Sequence, residues 1–365
     1  MSGPRVAVVG AGFAGAATAL HLARAGARVV VLEREAMAGV HATSQNAGML
    51  RTAIADAPLA RIAVAGARGV ELAQAWTDVT LVRPSGSLLL AREAARRELE
   101  QVTPDLAALR STVRWLEPRE ATARVPVLRD GAFDAALWSP EDGVVDSAEY
   151  HASLLRGARG HGAELRLRTE VQDGDAGDDS RPVRLATSTG VLEVDAVVIA
   201  GGAWSDVVAE RLHVRRMGIV PYRRHLHATG PLAAVDPTWP FVWAVDDEVY
   251  FRPESGGLLL SPCDQEAFEP CEPPADPANR ELLARKVSVA FPGLIDLPIM
   301  RSWAGLRSFV PDHRFVLGRD PHAPRVFWAA GLGGHGVTTA WEVGRIVAEA
   351  VLGRAAPPRE FDPAR

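Results

Sequence analysis

Cysteine is scarce: 365 residues include two, Cys263 and Cys271, in a stretch rich in proline and glutamate. With neither CxxC spacing nor neighbouring metal-type side chains, the pair reads as two ordinary thiols and argues against a disulfide framework or a zinc site. No long basic run occurs, because 40 lysines and arginines and 45 aspartates and glutamates are spread along the chain for a formal charge of -5. Nothing resembles the positive stripe that follows a phosphate backbone, so no nucleic-acid partner is expected. An uncharged apolar run of the roughly 18 residues that a membrane span needs is also missing. Val6 to Leu32 comes nearest, but Gly10, Gly12 and Gly15 interrupt it and His21, Arg24 and Arg28 punctuate it, which argues against both a span and a signal peptide. The expectation is a soluble, cytoplasmic protein without a metal site. No internal repeat or low-complexity tail is visible, and Ala356-Pro357-Pro358 suggests an exposed end.

What is present is a hydrophobic fraction of 47%, enough in a chain this long for a large core and two domains. Arg5 to Val9 and Arg28 to Leu32 are short β-branched runs, and between them Phe13 to Ala25 suits a helix stopped by Gly26, so the opening is a βαβ unit. Ala57 to Trp76 has helical composition. Leu81 to Leu90 suggests strands around the turn Pro84-Ser85-Gly86, and Arg92 to Leu109 a helix broken at Pro104. Asp146-Ser147-Ala148-Glu149 has the form of a capped helix start. Glu164 to Glu170 and Val191 to Ala200 then read as strands separated by a polar loop, Gln172 to Asp179. From Val214 to Met300 the text becomes β-rich, including Phe241 to Phe251 and Gly257 to Leu260, before a strand Val326 to Ala330 and a last helix from Thr338.

The sequence Gly10-Ala11-Gly12-Phe13-Ala14-Gly15 sits between strand and helix as a dinucleotide fingerprint requires. Gly10 permits the tight turn, Gly12 lets backbone approach a pyrophosphate, and Gly15 lets the helix pack on the sheet with its N-terminus toward the phosphates. Glu33, at the end of the second strand, can accept hydrogen bonds from a ribose diol and would repel a 2'-phosphate, which favours FAD or NAD over NADP. Two further glycine-rich strand ends favour FAD. One is Ala200-Gly201-Gly202-Ala203-Trp204; the other is Gly331-Leu332-Gly333-Gly334-His335-Gly336-Val337, leading into a helix whose N-terminus can stabilise the negative charge of a reduced flavin.

Together with His41-Ala42-Thr43-Ser44-Gln45-Asn46-Ala47-Gly48, Gly143-Val144-Val145-Asp146, Gly201 to Asp206 and Ser302-Trp303-Ala304-Gly305-Leu306-Arg307-Ser308-Phe309, these segments resemble the D-amino-acid oxidase-like flavoproteins over nearly the whole chain. That family includes glycine oxidase, sarcosine oxidase and D-arginine dehydrogenase. The resemblance implies an α/β fold: a Rossmann-like FAD-binding domain from residues 1–80, 141–213 and 301–365, with an inserted β-sheet-rich substrate domain from 81–140 and 214–300. It places Glu33 and Arg34, Thr43 to Gly48, Ala200, Trp204, and the loop Gly331 to Thr338 against the cofactor, with Val171 contacting the adenosine end through its backbone. Arg307 would bind a substrate carboxylate and Tyr250 would hydrogen-bond it, a pairing that also makes sense chemically because a guanidinium fork matches a carboxylate in two-point geometry. Of Arg223 and Arg224, strand alternation sends at most one to the site, and Arg224 is preferred. His41 and His335 flank the two flavin loops; they are candidates to touch substrate or tune the flavin, and equally for histidines hydrogen-bonded to loop backbone.

No cysteine stands between Trp303 and Asp312, where related sarcosine oxidases carry a covalent flavin link, so the FAD is expected to be noncovalent. His335 stands where D-arginine dehydrogenase has tyrosine, and no acid is assigned to a cationic substrate side chain, so arginine as substrate is not supported. The implied reaction is hydride transfer from the α-carbon of an amino acid or related amine to flavin N5, giving an imine and then an oxo acid; the flavin supplies the hard chemistry. One rival is a 2-hydroxy acid dehydrogenase using His41 or His335 as base. Others are a flavoprotein subunit with no substrate of its own and a nicotinamide-linked reductase, the last disfavoured by the lack of a second fingerprint or redox CxxC. No motif names the electron acceptor.

Overall fold

A computed structural model of the chain describes residues 3–109, 113–129 and 133–365. The opening βαβ unit forms as expected, with strands Arg5–Val9 and Arg28–Leu32 joined by helix Phe13–Arg24. These strands lie side by side in a six-stranded sheet, flanked on one side by Ala196–Ile199, Val326–Ala330 and Val316–Arg319 and on the other by Glu164–Arg166. All neighbours run parallel except Val316–Arg319, which is antiparallel at the edge. Alternation sorts the strands between two cores. Val6, Val8, Val29, Val31 and Val198 face helices Phe13–Arg24, Ala57–Ala73 and Gly336–Val351, whereas Ala7, Val9, Val30, Leu32, Val197 and Ile199 face a three-stranded antiparallel sheet. A βαβ sheet covered on both faces needs such continuous apolar strands.

The second layer is a nine-stranded mixed sheet built from residues 87–139 and 220–309. Its longest strands, Val220–Thr229 and Ile299–Phe309, pair antiparallel from Val220 opposite Phe309 to Thr229 opposite Ile299. The expected boundary at residue 301 therefore falls inside a strand, and residues 301–309 belong to the large sheet.

Three local expectations differ from the structure. Helix Glu93–Leu109 continues through Pro104, because Leu99, Val102 and Leu106 are buried and the Thr103 hydroxyl donates to the Leu99 carbonyl at 2.7 Å. The expected polar loop after Glu170 begins as strand Val171–Asp175, paired with Val183–Thr187; its polar residues occupy an exposed face. Val191 to Ala200 is two strands in two sheets, split at Asp195, whose carboxylate accepts from the Arg5 amide at 2.7 Å. The strands expected around the turn Pro84 to Gly86 do form, as Val82–Arg83 and Ser87–Ala91, and they join different sheets: the first pairs with Gly143–Val145, the second with Ala135–Ser139.

Candidate active site

A deep pocket opens where the parallel strands end. Its walls include Gly10 and Gly12, Glu33, the segment Thr43, Gln45 to Gly48, Val171, Ala200 to Trp204 and Gly331 to Thr338, and from the large sheet Arg224, Tyr250 and Arg307. All five catalytic candidates and most of the expected cofactor contacts thus line one cavity. Ala11, Gly15 and Ser44 do not line it: Ala11 is held by its neighbours, Gly15 is covered by the first turn, and the Ser44 hydroxyl turns to the Val40 carbonyl at 2.7 Å.

Two of the fingerprint glycines are forced by close backbone approach, and the third keeps the helix start open. Gly10 has φ +106, and a Cβ there would lie 2.4 Å from the Ala200 carbonyl oxygen; a Cβ on Gly15 would lie 1.9 Å from that of Gly10. At Gly12 a Cβ would meet only the Thr43 hydroxyl, at 3.0 Å, so the helix start is open to an approaching anion. Glu33 accepts from the Ala11 amide at 2.9 Å and the Glu35 amide at 3.0 Å, which fixes its carboxylate beside that opening. The Ala11 carbonyl accepts from the buried His151 Nε2 at 2.7 Å, a tie that sequence reasoning missed. Arg211 donates to the Val171 carbonyl at 2.7 Å and orients that backbone.

His41 lies at this same end. Its Nε2 meets Glu35 at 2.9 Å and its ring packs on Trp204 at 4.6 Å, with the Arg34 guanidinium 4.0 Å from the Trp204 ring. Its partners are therefore those of the Glu33 region, and no described contact joins it to Arg307 or Tyr250. The segment after it is closed by Asn46, which accepts from the Gly48 amide at 2.6 Å and donates to the Thr43 carbonyl at 2.5 Å. Gly305 lets strand Ile299–Phe309 pass close by, since a Cβ there would lie 2.9 Å from that of Gln45.

At the other end the large sheet delivers charge. Along Val249–Glu254, Val249 and Phe251 enter the core of the large sheet while Tyr250 turns to the pocket. Arg223 and Arg224 separate likewise: Arg223 leaves for Glu266 and the Pro274 carbonyl, and Arg224 enters the pocket, where its Nε donates to the Asp264 carbonyl at 2.6 Å. Arg307 donates to the Gly333 carbonyl at 2.5 Å, which ties the large sheet to the C-terminal glycine loop. Gly334 has to be glycine here, because at φ +85 a Cβ would meet the Arg307 Nε at 2.1 Å.

Sequence reasoning overlooked Arg51. Its guanidinium stacks on Trp243 at 4.3 Å and meets His335 Nε2 at 3.2 Å. A single arginine three residues past Gly48 carries no pattern that singles it out. Burial pulls the Arg307 guanidinium down to about 9, with the Arg224 charge adding to the effect, and burial pulls Arg51 down to about 10. Burial likewise lifts the Tyr250 phenol to about 12 and, with the Arg51 and Arg307 charges, holds the His335 imidazole well below its usual value. Near pH 7 the cluster thus holds cationic guanidiniums, a neutral phenol and a neutral imidazole, a set suited to receive a carboxylate.

The model of the FAD dependent oxidoreductase family, DAO, matches residues 5–350. Glycine oxidase of Bacillus licheniformis is 29% identical over 95% of this chain and 92% of its own. D-amino acid dehydrogenase of Paramagnetospirillum magneticum is 26% identical over 96% of this chain and 95% of its own. The crystal structure of glycine oxidase from Geobacillus kaustophilus superposes with a TM-score of 0.82 at 27% identity, covering 99% of this chain and 97% of that one. The glycine-lined cradle beside Glu33 has the open backbone a dinucleotide needs, and with residues 5–350 matched, the chain belongs to the FAD-dependent oxidoreductases of the DAO family and is an enzyme.

Proposed function

We propose that the chain holds FAD noncovalently and oxidises an amino acid or related amine bearing a carboxylate. When bound, the flavin supplies the acceptor for a hydride from the substrate α-carbon, and the resulting imine hydrolyses to an oxo acid and ammonia. Gly10 to Phe13 and Glu33 would hold the pyrophosphate and ribose, the backbone of Val171 the adenosine, and the segments Thr43 to Gly48 and Gly331 to Thr338 the ring system. The observation that carries the reading is the convergence of Arg307, Tyr250 and Arg224 on the pocket lined by both of those segments. Arg307 with Arg224 offers forked donors for the carboxylate, Tyr250 adds a directed hydroxyl, and this anchoring aims the α-carbon. His335, neutral because it is desolvated among cations, accepts from Arg51 at Nε2 and fixes that guanidinium on the pocket wall. For noncovalent attachment the support is that no cysteine stands between Trp303 and Asp312; of the two cysteines, Cys263 is buried with its thiol pushed up, and Cys271 is the one that reaches the pocket wall.

The test is anaerobic absorbance of the holoenzyme against D-amino acids, glycine, N-methyl amino acids and 2-hydroxy acids. Bleaching by an amine is expected, and indifference to every amine would sink the reading. One alternative is oxidation of a 2-hydroxy acid, whose carboxylate Arg307 and Tyr250 would anchor equally well, and bleaching by hydroxy acids alone would select it.

A further inference from the structure

One carboxylate needs fewer cations than the pocket supplies. Arg51, Arg224 and Arg307 all line it, and among the described residues no ion pair joins any of the three to a carboxylate. Elsewhere this protein does pair such groups: buried Arg252 meets Glu254 at 2.6 Å and buried Arg223 meets Glu266. Asp142 is the acid whose field acts most on Arg51, and its carboxylate takes donors from the Thr52 amide and hydroxyl and the Ser87 hydroxyl. Arg51 is nonetheless held firmly. Its amide donates to Thr338 Oγ1 at 3.1 Å, its guanidinium lies on Trp243, and its Nη2 meets His335 Nε2. An indole face and a neutral imidazole orient the cation without cancelling its charge, so several of its donors still await an acceptor. Burial disfavours the Arg51 charge and the Asp142 field offsets only part of that, so an anion meeting its pocket-facing donors gains charge-assisted hydrogen bonds.

We propose that Arg51, supported by His335 and Trp243, forms a second anion subsite, and that the substrate is a dicarboxylic amine: an amino acid with an acidic side chain, or an imino diacid with a carboxylate on each arm. One carboxylate goes to Arg307, Arg224 and Tyr250, the other to Arg51. The inference rests on the reading of the pocket as a site of amine oxidation, and it adds the substrate class.

The experiment titrates the flavin-loaded protein with unreactive acids, acetate and propionate against malonate, succinate and glutarate, following the flavin absorbance spectrum. The best dicarboxylate is expected to bind at least about tenfold tighter than the monocarboxylates, the scale of one charged hydrogen-bonded contact. Arg51→Met should reduce that preference below about threefold, and Arg51→Lys should restore part of it, while Arg307→Met should weaken both classes. Equal binding of both classes by the unaltered protein overturns the subsite, as does an Arg51→Met change that weakens both classes alike. The two proposals fail separately: dicarboxylate preference with no amine bleaching the flavin retires the oxidation, and bleaching by amines without such preference retires the subsite.

Discussion

Arg307 and His21 show two different costs of taking a cation or a base out of water. Replacing Arg307 by glutamine removes the forked donor facing the pocket but leaves the glycine cradle at Gly10 to Gly15 intact. The expected result is a rise in substrate KM of roughly 10- to 100-fold, the scale of a charged hydrogen bond, with flavin still bound by absorbance; an unchanged KM would remove the carboxylate role. His21 lies far from this chemistry, packed on Trp341 at 4.7 Å, and burial lowers its pKa from 6.5 to about 4. Its folded form favours the neutral ring, so the unfolded chain binds more protons between those two values and stability falls as pH falls from 6.5 to 4. His151, His227 and His335, all lowered by burial, act in the same direction. Thermal unfolding followed at pH 7, 6, 5 and 4 should show a steady loss, and His21→Gln should flatten part of that slope. At this scale the sequence was legible where a residue type is forced by geometry, as at Gly10 and Gly15. It was silent for Arg51, because stacking on Trp243, nearly two hundred residues away, leaves no local pattern. It was ambiguous for His41, whose attachment to Glu35 and Trp204 depends on a meeting of three segments.

Helices Phe13–Arg24, Ala57–Ala73 and Gly336–Val351 interlock through glycines rather than large side chains. A Cβ on Gly69 would fall 2.0 Å from the Trp341 ring, one on Gly66 2.2 Å from the Thr338 carbonyl oxygen, and one on Gly344 2.5 Å from the Ala17 backbone. Gly69→Ala should therefore destabilise by about 1–3 kcal/mol through overpacking, read as a lower Tm. Gly160→Ala is the matched control, because a Cβ there meets nothing within 4 Å and should leave Tm unchanged or slightly higher. Gly66→Ala presses on Thr338, in the first turn of the helix that ends the C-terminal glycine loop, and should weaken flavin retention as well as stability. Such elements were readable as helices from composition, but their contacts were not, since a helical glycine can mean either tolerance or close approach. The strand errors have a similar origin. Gln172 to Asp179 looked like a loop because its sheet is small and exposed, and Pro104 looked like a break because the burial of Leu99 and Leu106 is a tertiary fact.

Between the two sheets, one side chain carries much of the connection on the cofactor side. Arg252, two residues beyond the pocket-facing Tyr250, donates from Nε to the Ala47 carbonyl at 2.5 Å and is itself paired with Glu254. The segment proposed to cover the flavin is thereby fastened to the sheet proposed to hold the substrate. Removing FAD should lower Tm by mass action and raise hydrogen exchange in residues 43–51 and 249–254 together; exchange confined to the first segment would show that the two move independently. Acid precipitation should release the chromophore into the supernatant, and yellow colour left in the pellet would contradict noncovalent attachment. Alternation between α/β and β-rich text was visible along the chain, but the assignment of residues 301–309 to the large sheet was not, because pairing with Val220–Thr229 is a contact between distant stretches.

The central strand Arg5–Val9 has its second neighbour in Ala196–Ile199, and that strand in turn waits for Val326–Ala330. At ribosomal rates of roughly 5–20 residues per second, the nascent βαβ unit spends on the order of ten seconds or more with an apolar edge exposed before its partner emerges. Long-range pairing of this kind folds slowly. The order in which this sheet is assembled makes newly made chains, rather than finished molecules, the form most in need of a chaperone.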